Sequence, residues 1–132
     1  MDQQLNIIKV GGKVLEDADA LQTFLDDFSV LQGAKLLVHG GGRAATDMAG
    51  RLGIETQMVD GRRITDENML EVVTMGYGGL VKKKVGAQCQ ARGLNALGLT
   101  GADLDLVRAK KRTGTEVDYG FVGDVESVHV KA

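Results

Sequence analysis

Two short apolar segments of this chain each run into a cluster of glycines. Residues 5–10 lead into a glycine pair at 11–12, and residues 35–38 lead through His39 into three glycines at 40–42. An amphipathic helical pattern separates the two segments, and another follows the second. Such alternation predicts a parallel sheet, in which neighbouring strands end at one shared edge where ligands bind. We therefore expect the two glycine turns to outline a single cleft.

The rest of the chain continues the same alternation. Helices are predicted from Asp17 to a stop at Gly33, over residues 43–52, and from Thr65, as the N-cap, to about Arg92. Residues 94–99 are predicted to form a further strand. Because the strand segments are almost continuously hydrophobic, they are expected to be buried on both faces.

Hairpins are expected outside this core. Asp60-Gly61 is a dipeptide favoured in tight turns and predicts a hairpin within residues 54–64. Residues 104–107 and 117–130 have the pattern of hairpin strands. The fold class expected is α/β, a three-layer αβα sandwich with a mainly parallel central sheet and a peripheral β-hairpin, in one domain over residues 1–132.

Three glycines lie inside the longest predicted helix. Gly76, Gly78 and Gly79 would each cost about 1 kcal/mol relative to alanine in a helix interior. Either another helix approaches closely at these positions, or the helix kinks at residues 78–79. The sequence leaves both explanations open.

Composition excludes several kinds of partner and site. Sixteen basic and eighteen acidic residues give a formal net charge of −2, so neither nucleic acid nor a membrane surface is an expected partner. The basic cluster at 110–112 is expected to be a solvated strand end. Cys89 is the only cysteine, and no Cys or His cluster has metal-ligand spacing. With no signal-peptide pattern at the start and no membrane span, a cytoplasmic location is expected.

The first glycine turn has the features of a phosphate site. Lys9 lies at the end of the first strand and is followed by Gly11 and Gly12, where a helix is expected to begin. Glycine lets backbone N–H groups approach phosphate oxygens, and the helix start adds a partial positive charge. Lys9 would supply a full charge for phosphoryl transfer. The alternative is an ordinary strand-to-helix turn.

The second turn suggests that backbone amides contact a ligand, because three glycines in a row are difficult to explain by packing alone. His39 could act as a general base, although a histidine at a strand end is more often hydrogen-bonded to backbone. Neither turn has the GxxxxGK[ST] or GxGxxG nucleotide pattern, and no GxSxG nucleophile motif occurs.

A pair of arginines follows the first hairpin turn. Arg62 and Arg63 come directly after Gly61, and a guanidinium group can grip a carboxylate through two parallel hydrogen bonds. Such a contact would anchor an acidic substrate. The alternative is two exposed hairpin charges.

The motifs taken in order resemble a known family. The segments IIKVGGKVL, LLVHGGG, VDGRRIT, ALGLTGAD and DYGFVGDV are similar to those of the acetylglutamate kinases in the amino acid kinase superfamily. The resemblance implies that Lys9 is a catalytic lysine, that Gly11 and Gly12 line the phosphate path, and that the Gly41 and Gly42 amides contact the acyl amino acid. It also implies that Arg63 holds the substrate's α-carboxylate.

The same resemblance implies an activity and its partners. It implies that ATP with Mg²⁺ phosphorylates the γ-carboxylate of N-acetyl-L-glutamate in arginine biosynthesis, and that the long helix forms a homodimer contact. Members of the family continue into a C-terminal, ATP-binding half, so residues 1–132 are expected to form the N-terminal, acyl-amino-acid-binding lobe and to lack full activity. Two alternatives remain open, a kinase for another N-acylglutamate and a non-catalytic amino-acid sensor.

The second glycine turn departs from the family pattern at one position. Arg43 stands where many members have proline after the three glycines. The stiffness of this loop is therefore not implied by the resemblance.

Overall fold

A computed structural model describes residues 4–132 of the chain. Its parallel strands are β1 (Leu5–Val10) and β2 (Ala34–His39), and its hairpin strands are β3 (Met58–Val59), β4 (Arg62–Arg63), β5 (Val107–Lys111) and β6 (Gly123–Val128). Its helices are α1 (Gly12–Glu16), α2 (Ala18–Val30), α3 (Gly42–Arg51), α4 (Glu67–Val73) and α5 (Lys82–Ala91), with a π segment (Thr74–Val81) joining α4 to α5. Met1, Asp2 and Gln3, where a signal peptide would start, lie outside the described residues.

The parallel strands have one covered face and one open face. β1 and β2 pair in register, with Val10 opposite His39 at their carboxyl ends. Leu37 packs against the helices, whereas Ile7 is 65% exposed on the other face and Leu36 and Val38 are also exposed. The prediction that these strands are buried on both faces is therefore wrong for the described chain, because its helices pack on one side only.

The larger hydrophobic cluster lies between α2 and α5. Helix α2 begins where the sequence predicted, and Asp17 caps it by accepting a hydrogen bond from the Ala20 amide at 2.9 Å. The helical spacing of Leu21 and Leu25 then directs both side chains toward Val85 and Cys89 of α5. Burying each leucine contributes roughly 1.5–3 kcal/mol, so this contact is a main source of stability.

The long helix starts one residue later than predicted. Asp66, not Thr65, is the N-cap, and its carboxylate accepts a hydrogen bond from the Met69 amide at 2.8 Å. Thr65 is bridged to Gly120, and its carbonyl accepts from the Phe121 amide at 2.7 Å. These strand-like bonds hold Thr65 in an extended conformation, which leaves the cap position to the next residue.

The glycines of this helix meet different surroundings. A Cβ atom on Gly76 would lie 3.5 Å from the Cα and Cβ atoms of Ala45 in α3, whereas nothing lies within 4 Å of that position on Gly79. The backbone remains helical at both ends of the π segment, at Val73 and Lys82. Helix α3 therefore packs on Gly76, with room for a Cβ but not for a larger side chain, and the long helix passes residues 78–79 without a break.

Residues 94–99 do not form the predicted strand. The Leu94 amide donates to the Cys89 carbonyl at 3.0 Å, and the Ala96 amide donates to the Leu94 carbonyl at 2.9 Å. These local bonds use amides that a strand ladder would need, and Leu97 is 80% exposed. The segment is instead an irregular connection beside β2.

The last part of the chain is a hairpin, as predicted, but its first strand begins at Val107, where the predicted strand was to end, and its second strand is shorter than predicted. β5 and β6 pair antiparallel, and residues 103–105 form a 3₁₀ turn in which Leu104 has φ +53°. The basic cluster is solvated and paired with acids, since Lys111 lies 3.5 Å from Asp118 and Arg112 contacts Asp124. This confirms its expected role as a strand end. Within residues 4–132, no helix is both long and apolar enough to cross a bilayer.

Candidate functional site

The two glycine turns lie side by side, as the sequence predicted. Val10 and His39 are paired neighbours in the sheet, so the chain leaves both strands at the same edge. The helices that follow are also joined, because Arg43 of α3 forms an ion pair with Glu16 of α1 at 2.8 Å. The site is therefore built around the first turns of α1 and α3.

The start of α3 is open to a ligand. Gly41 is its N-cap and, having no side chain, leaves the first-turn amides uncapped. Among the described hydrogen bonds none has the amide of Gly42, Arg43 or Ala44 as donor, and the first bond of the helix is from the Ala45 amide to the Gly41 carbonyl at 3.0 Å. Free amides at the positive end of a helix favour an anion.

Arg63 reaches this same helix start from the hairpin. Its Nη2 donates to the Gly42 carbonyl at 2.8 Å and to Thr46 Oγ1 at 2.9 Å, whereas Nη1 has only longer contacts, 3.4 Å to Thr56 Oγ1 and 3.9 Å to Met69 Sδ. The two short bonds fix the guanidinium plane. Because Nη2 already donates to two protein acceptors, a ligand carboxylate would have to compete with them for that nitrogen. The donors that remain for a ligand are Nε and Nη1.

Gly41 has a packing role that the sequence analysis missed. A Cβ atom there would lie 2.8 Å from Cδ1 and 3.3 Å from Cε1 of Tyr77, which comes from the π segment. The Tyr77 hydroxyl oxygen lies 3.7 Å from the position that a Cβ on Gly42 would take. The interpretation that packing does not explain the glycine run is thus wrong at Gly41. An aromatic residue among helix glycines was the available sequence signal for Tyr77.

Lys9, Gly11 and Gly12 are exposed at the end of β1 and the start of α1. In the described part of the chain, Lys9 has neither a hydrogen bond nor an ion pair. A Cβ on Gly11 would meet nothing within 4 Å, and one on Gly12 would lie 3.5 Å from a Glu16 carboxylate oxygen. Packing within residues 4–132 therefore does not require glycine at position 11.

His39 and Arg62 match the alternatives that the sequence left open, namely a histidine hydrogen-bonded to backbone and an exposed hairpin charge. His39 Nδ1 donates to the Gly40 carbonyl at 2.9 Å, which agrees with the expectation of a backbone-bonded histidine. Arg62 is exposed and contributes, after Arg112, to holding the pKa of the Asp124 carboxyl below its usual range. Only Arg63 of the arginine pair turns toward α3.

A cavity of about 770 Å³ lies beside β2 and extends to the edge of this site. It is lined mostly by apolar side chains, with His39, Tyr77, Lys82 and Thr100 among the polar ones. Cys89 also lines it, and burial raises the pKa of its thiol, an effect that Arg92 and Lys35 partly oppose. No group of three or more potential metal ligands occurs among residues 4–132.

Comparison with known sequences gives a consistent result. The sequence profile of the amino acid kinase family matches residues 4–132. The acetylglutamate kinase of Phocaeicola vulgatus is 60% identical over 129 residues, which are 98% of this chain and 50% of that protein. Those of Bacteroides fragilis and Methanopyrus kandleri are 59% and 43% identical and are covered to 49% and 50%. The chain spans about half the length of the curated relatives it matches.

Solved structures agree on the fold. Smu.665 from Streptococcus mutans superposes with a TM-score of 0.78 at 21% identity, covering 96% of this chain and 51% of that one. The N-acetylglutamate synthase of Neisseria gonorrhoeae, solved with coenzyme A and L-arginine, gives 0.67 at 17% identity, covering 96% and 31%. A parallel sheet with helices and peripheral hairpins, the α/β class predicted, is therefore confirmed.

Proposed function

This chain belongs to the amino acid kinase family, and we propose from that premise that residues 1–132 are the N-terminal, acyl-amino-acid-binding lobe of an acetylglutamate kinase. The reaction transfers the γ-phosphoryl group of ATP to the γ-carboxylate of N-acetyl-L-glutamate, a step of arginine biosynthesis. Relatives named acetylglutamate kinase at about 60% identity support this proposal.

One observation carries the assignment of the substrate side. Arg63 donates to the Gly42 carbonyl at 2.8 Å, directly beside the uncapped amides of α3. A fixed guanidinium and free amides on the same first turn of a helix can together bind a carboxylate. In this proposal Arg63 holds the α-carboxylate of the substrate, and the backbone at Gly41 and Gly42 contacts the acyl amino acid.

The phosphoryl group would be received at the neighbouring turn. An oxygen of the γ-carboxylate attacks the γ-phosphorus, the bond from that phosphorus to the bridging oxygen breaks, and the products are an acyl phosphate and ADP. Lys9 would offset the charge that develops on the transferred group, and the Gly11 and Gly12 amides would line its path. ATP enters as its Mg²⁺ complex and is a substrate, held mainly by the C-terminal lobe that the family carries.

Two further features belong to the same proposal. The long helix from Glu67 to Ala91 would pack against a second copy in a homodimer. The single, buried Cys89 fits a protein of the reducing cytoplasm. Mass measurement by light scattering at micromolar concentration tests the dimer, and a monomer would contradict it.

Calorimetric titration tests the substrate side directly. The 132-residue chain is expected to bind N-acetyl-L-glutamate saturably without ATP. Arg63→Lys should weaken binding by about tenfold, because a lysine ammonium cannot keep the bonds to Gly42 and Thr46 and also donate to the substrate in the same geometry. Arg62→Lys is the matched control and should leave binding unchanged. Equal weakening by both variants, or no binding by the parent chain, would reject the proposal. Tighter binding of another N-acylglutamate would make that compound the assigned substrate in place of N-acetyl-L-glutamate. Binding without turnover, even in a chain that includes the C-terminal lobe, would identify a non-catalytic sensor.

The role of Lys9 is tested in the two-lobe enzyme. Lys9→Met should lower kcat on the order of 100-fold with little change in KM for the amino acid, because the lysine acts on charge present in the transition state. Lys13→Met, a nearby exposed lysine on α1, is the control and should change neither constant. A KM effect alone at Lys9 would contradict its catalytic role.

A further inference from the structure

The π segment delivers one side chain to the start of α3. Tyr77 packs its ring so closely on Gly41 that a Cβ there would lie 2.8 Å from Cδ1. π-Helical stretches inside α-helices frequently occur at functional sites, and the one here is eight residues long. The contact with Gly41 fixes where the ring lies.

The phenol oxygen of Tyr77 lies close to the first turn of α3. It lies 3.7 Å from the position of a Cβ on Gly42, the residue whose carbonyl accepts the 2.8 Å bond from Arg63. Among the described residues this hydroxyl has no hydrogen-bond partner, and Tyr77 also lines the cavity beside β2. A partly buried hydroxyl usually has a partner, so a ligand group is a natural one.

We propose that Tyr77 is a specificity-determining residue whose hydroxyl donates a hydrogen bond to the carbonyl oxygen of the substrate's N-acyl group. The inference rests on the proposed function. In an N-acyl amino acid the acyl carbonyl is separated from the α-carboxylate by only a few covalent bonds. A carboxylate held by Arg63 therefore places that carbonyl near Gly42, where the hydroxyl lies.

The test compares two ligands that differ only in the acyl amide. N-acetyl-L-glutamate carries the carbonyl, whereas 2-propylglutarate has methylene groups in place of the amide N–H and carbonyl. Tyr77→Phe keeps the ring on Gly41 and removes the hydroxyl. Calorimetry should show N-acetyl-L-glutamate binding weakened roughly threefold to tenfold, the worth of one net hydrogen bond, with 2-propylglutarate binding unchanged.

Tyr119→Phe is the matched control, since Tyr119 is the only other tyrosine, and it should change neither affinity. Equal weakening of both ligands by Tyr77→Phe would indicate a structural role and overturn the inference, as would no change for either ligand. If the parent chain binds N-acetyl-L-glutamate but Tyr77→Phe does not weaken that binding selectively, the inference fails and the proposed function stands. If the parent chain binds neither ligand, the proposed function and the inference fail together.

Discussion

At the scale of single residues, the second glycine turn makes a sharp prediction. Gly41 has φ 179°, an extended value open to any residue, so the contact with Tyr77 is the reason for glycine there. Gly41→Ala should lower the free energy of unfolding by about 1–3 kcal/mol, because the new Cβ would lie 2.8 Å from the ring. Urea unfolding measures the change.

Gly40→Ala is the control for that substitution. Nothing lies within 4 Å of a Cβ at position 40, so its effect should stay within about 0.5 kcal/mol. If the two alanine variants are equally destabilised, the ring contact is not what requires glycine at position 41.

Cys89 makes a second residue-scale prediction, concerning pH. Burial raises the pKa of its thiol, so the folded chain keeps the proton when the unfolded chain has lost it. The resulting stabilisation is fully present below the unfolded thiol's pKa and is lost as pH rises toward the folded value. Between about pH 7 and about pH 10, the parent chain should lose more stability than Cys89→Ala. Parallel pH profiles of the two chains would contradict the raised pKa.

At the scale of elements, the crossing of α3 with the long helix depends on Gly76. Its Cβ position lies 3.5 Å from Ala45, so valine there would force its methyl groups into α3 and cost about 1–3 kcal/mol. The same substitution at Gly79 meets open space and should be neutral or stabilising by a few tenths of a kcal/mol through helix propensity. Thermal unfolding of both variants measures the two changes in stability. A larger loss of stability for Gly79→Val than for Gly76→Val would mean that α3 does not cross the long helix at Gly76.

At the scale of the whole molecule, stability depends on contacts between helices more than on the open face of the sheet. Leu25 is fully buried between α2 and α5, whereas Ile7 is 65% exposed on β1. Leu25→Ala should lower the free energy of unfolding by about 2–5 kcal/mol, as for other buried leucines. Ile7→Thr should change it by no more than about 0.5 kcal/mol. Denaturant titration of the 132-residue chain measures both, and comparable losses would mean that the β1 face is covered in solution.

The order of elements as far as α5 and the joining of the two glycine turns were predictable from the sequence. Both depend on patterns between near neighbours, such as the helical spacing that places Leu21 and Leu25 on one stripe of α2. Parallel pairing then followed from the alternation of strands and helices, which leaves few arrangements of the chain. The convergence of Lys9 and the 40–42 turn at one sheet edge is the outcome of those local rules.

Other features were decided only by the tertiary structure. Residues 94–99 have the composition of a strand, but the Leu94 amide donates to the Cys89 carbonyl at the end of α5 and is therefore not free to pair with a neighbouring strand. Thr65 and Asp66 can both cap a helix, and pairing with Gly120 decided between them. Tyr77 reaches Gly41, and Arg63 reaches Gly42, because helices and a hairpin distant in sequence cross at the start of α3. Periodicity and propensity describe neighbours along the chain, whereas such contacts depend on the angle and distance at which whole elements pack.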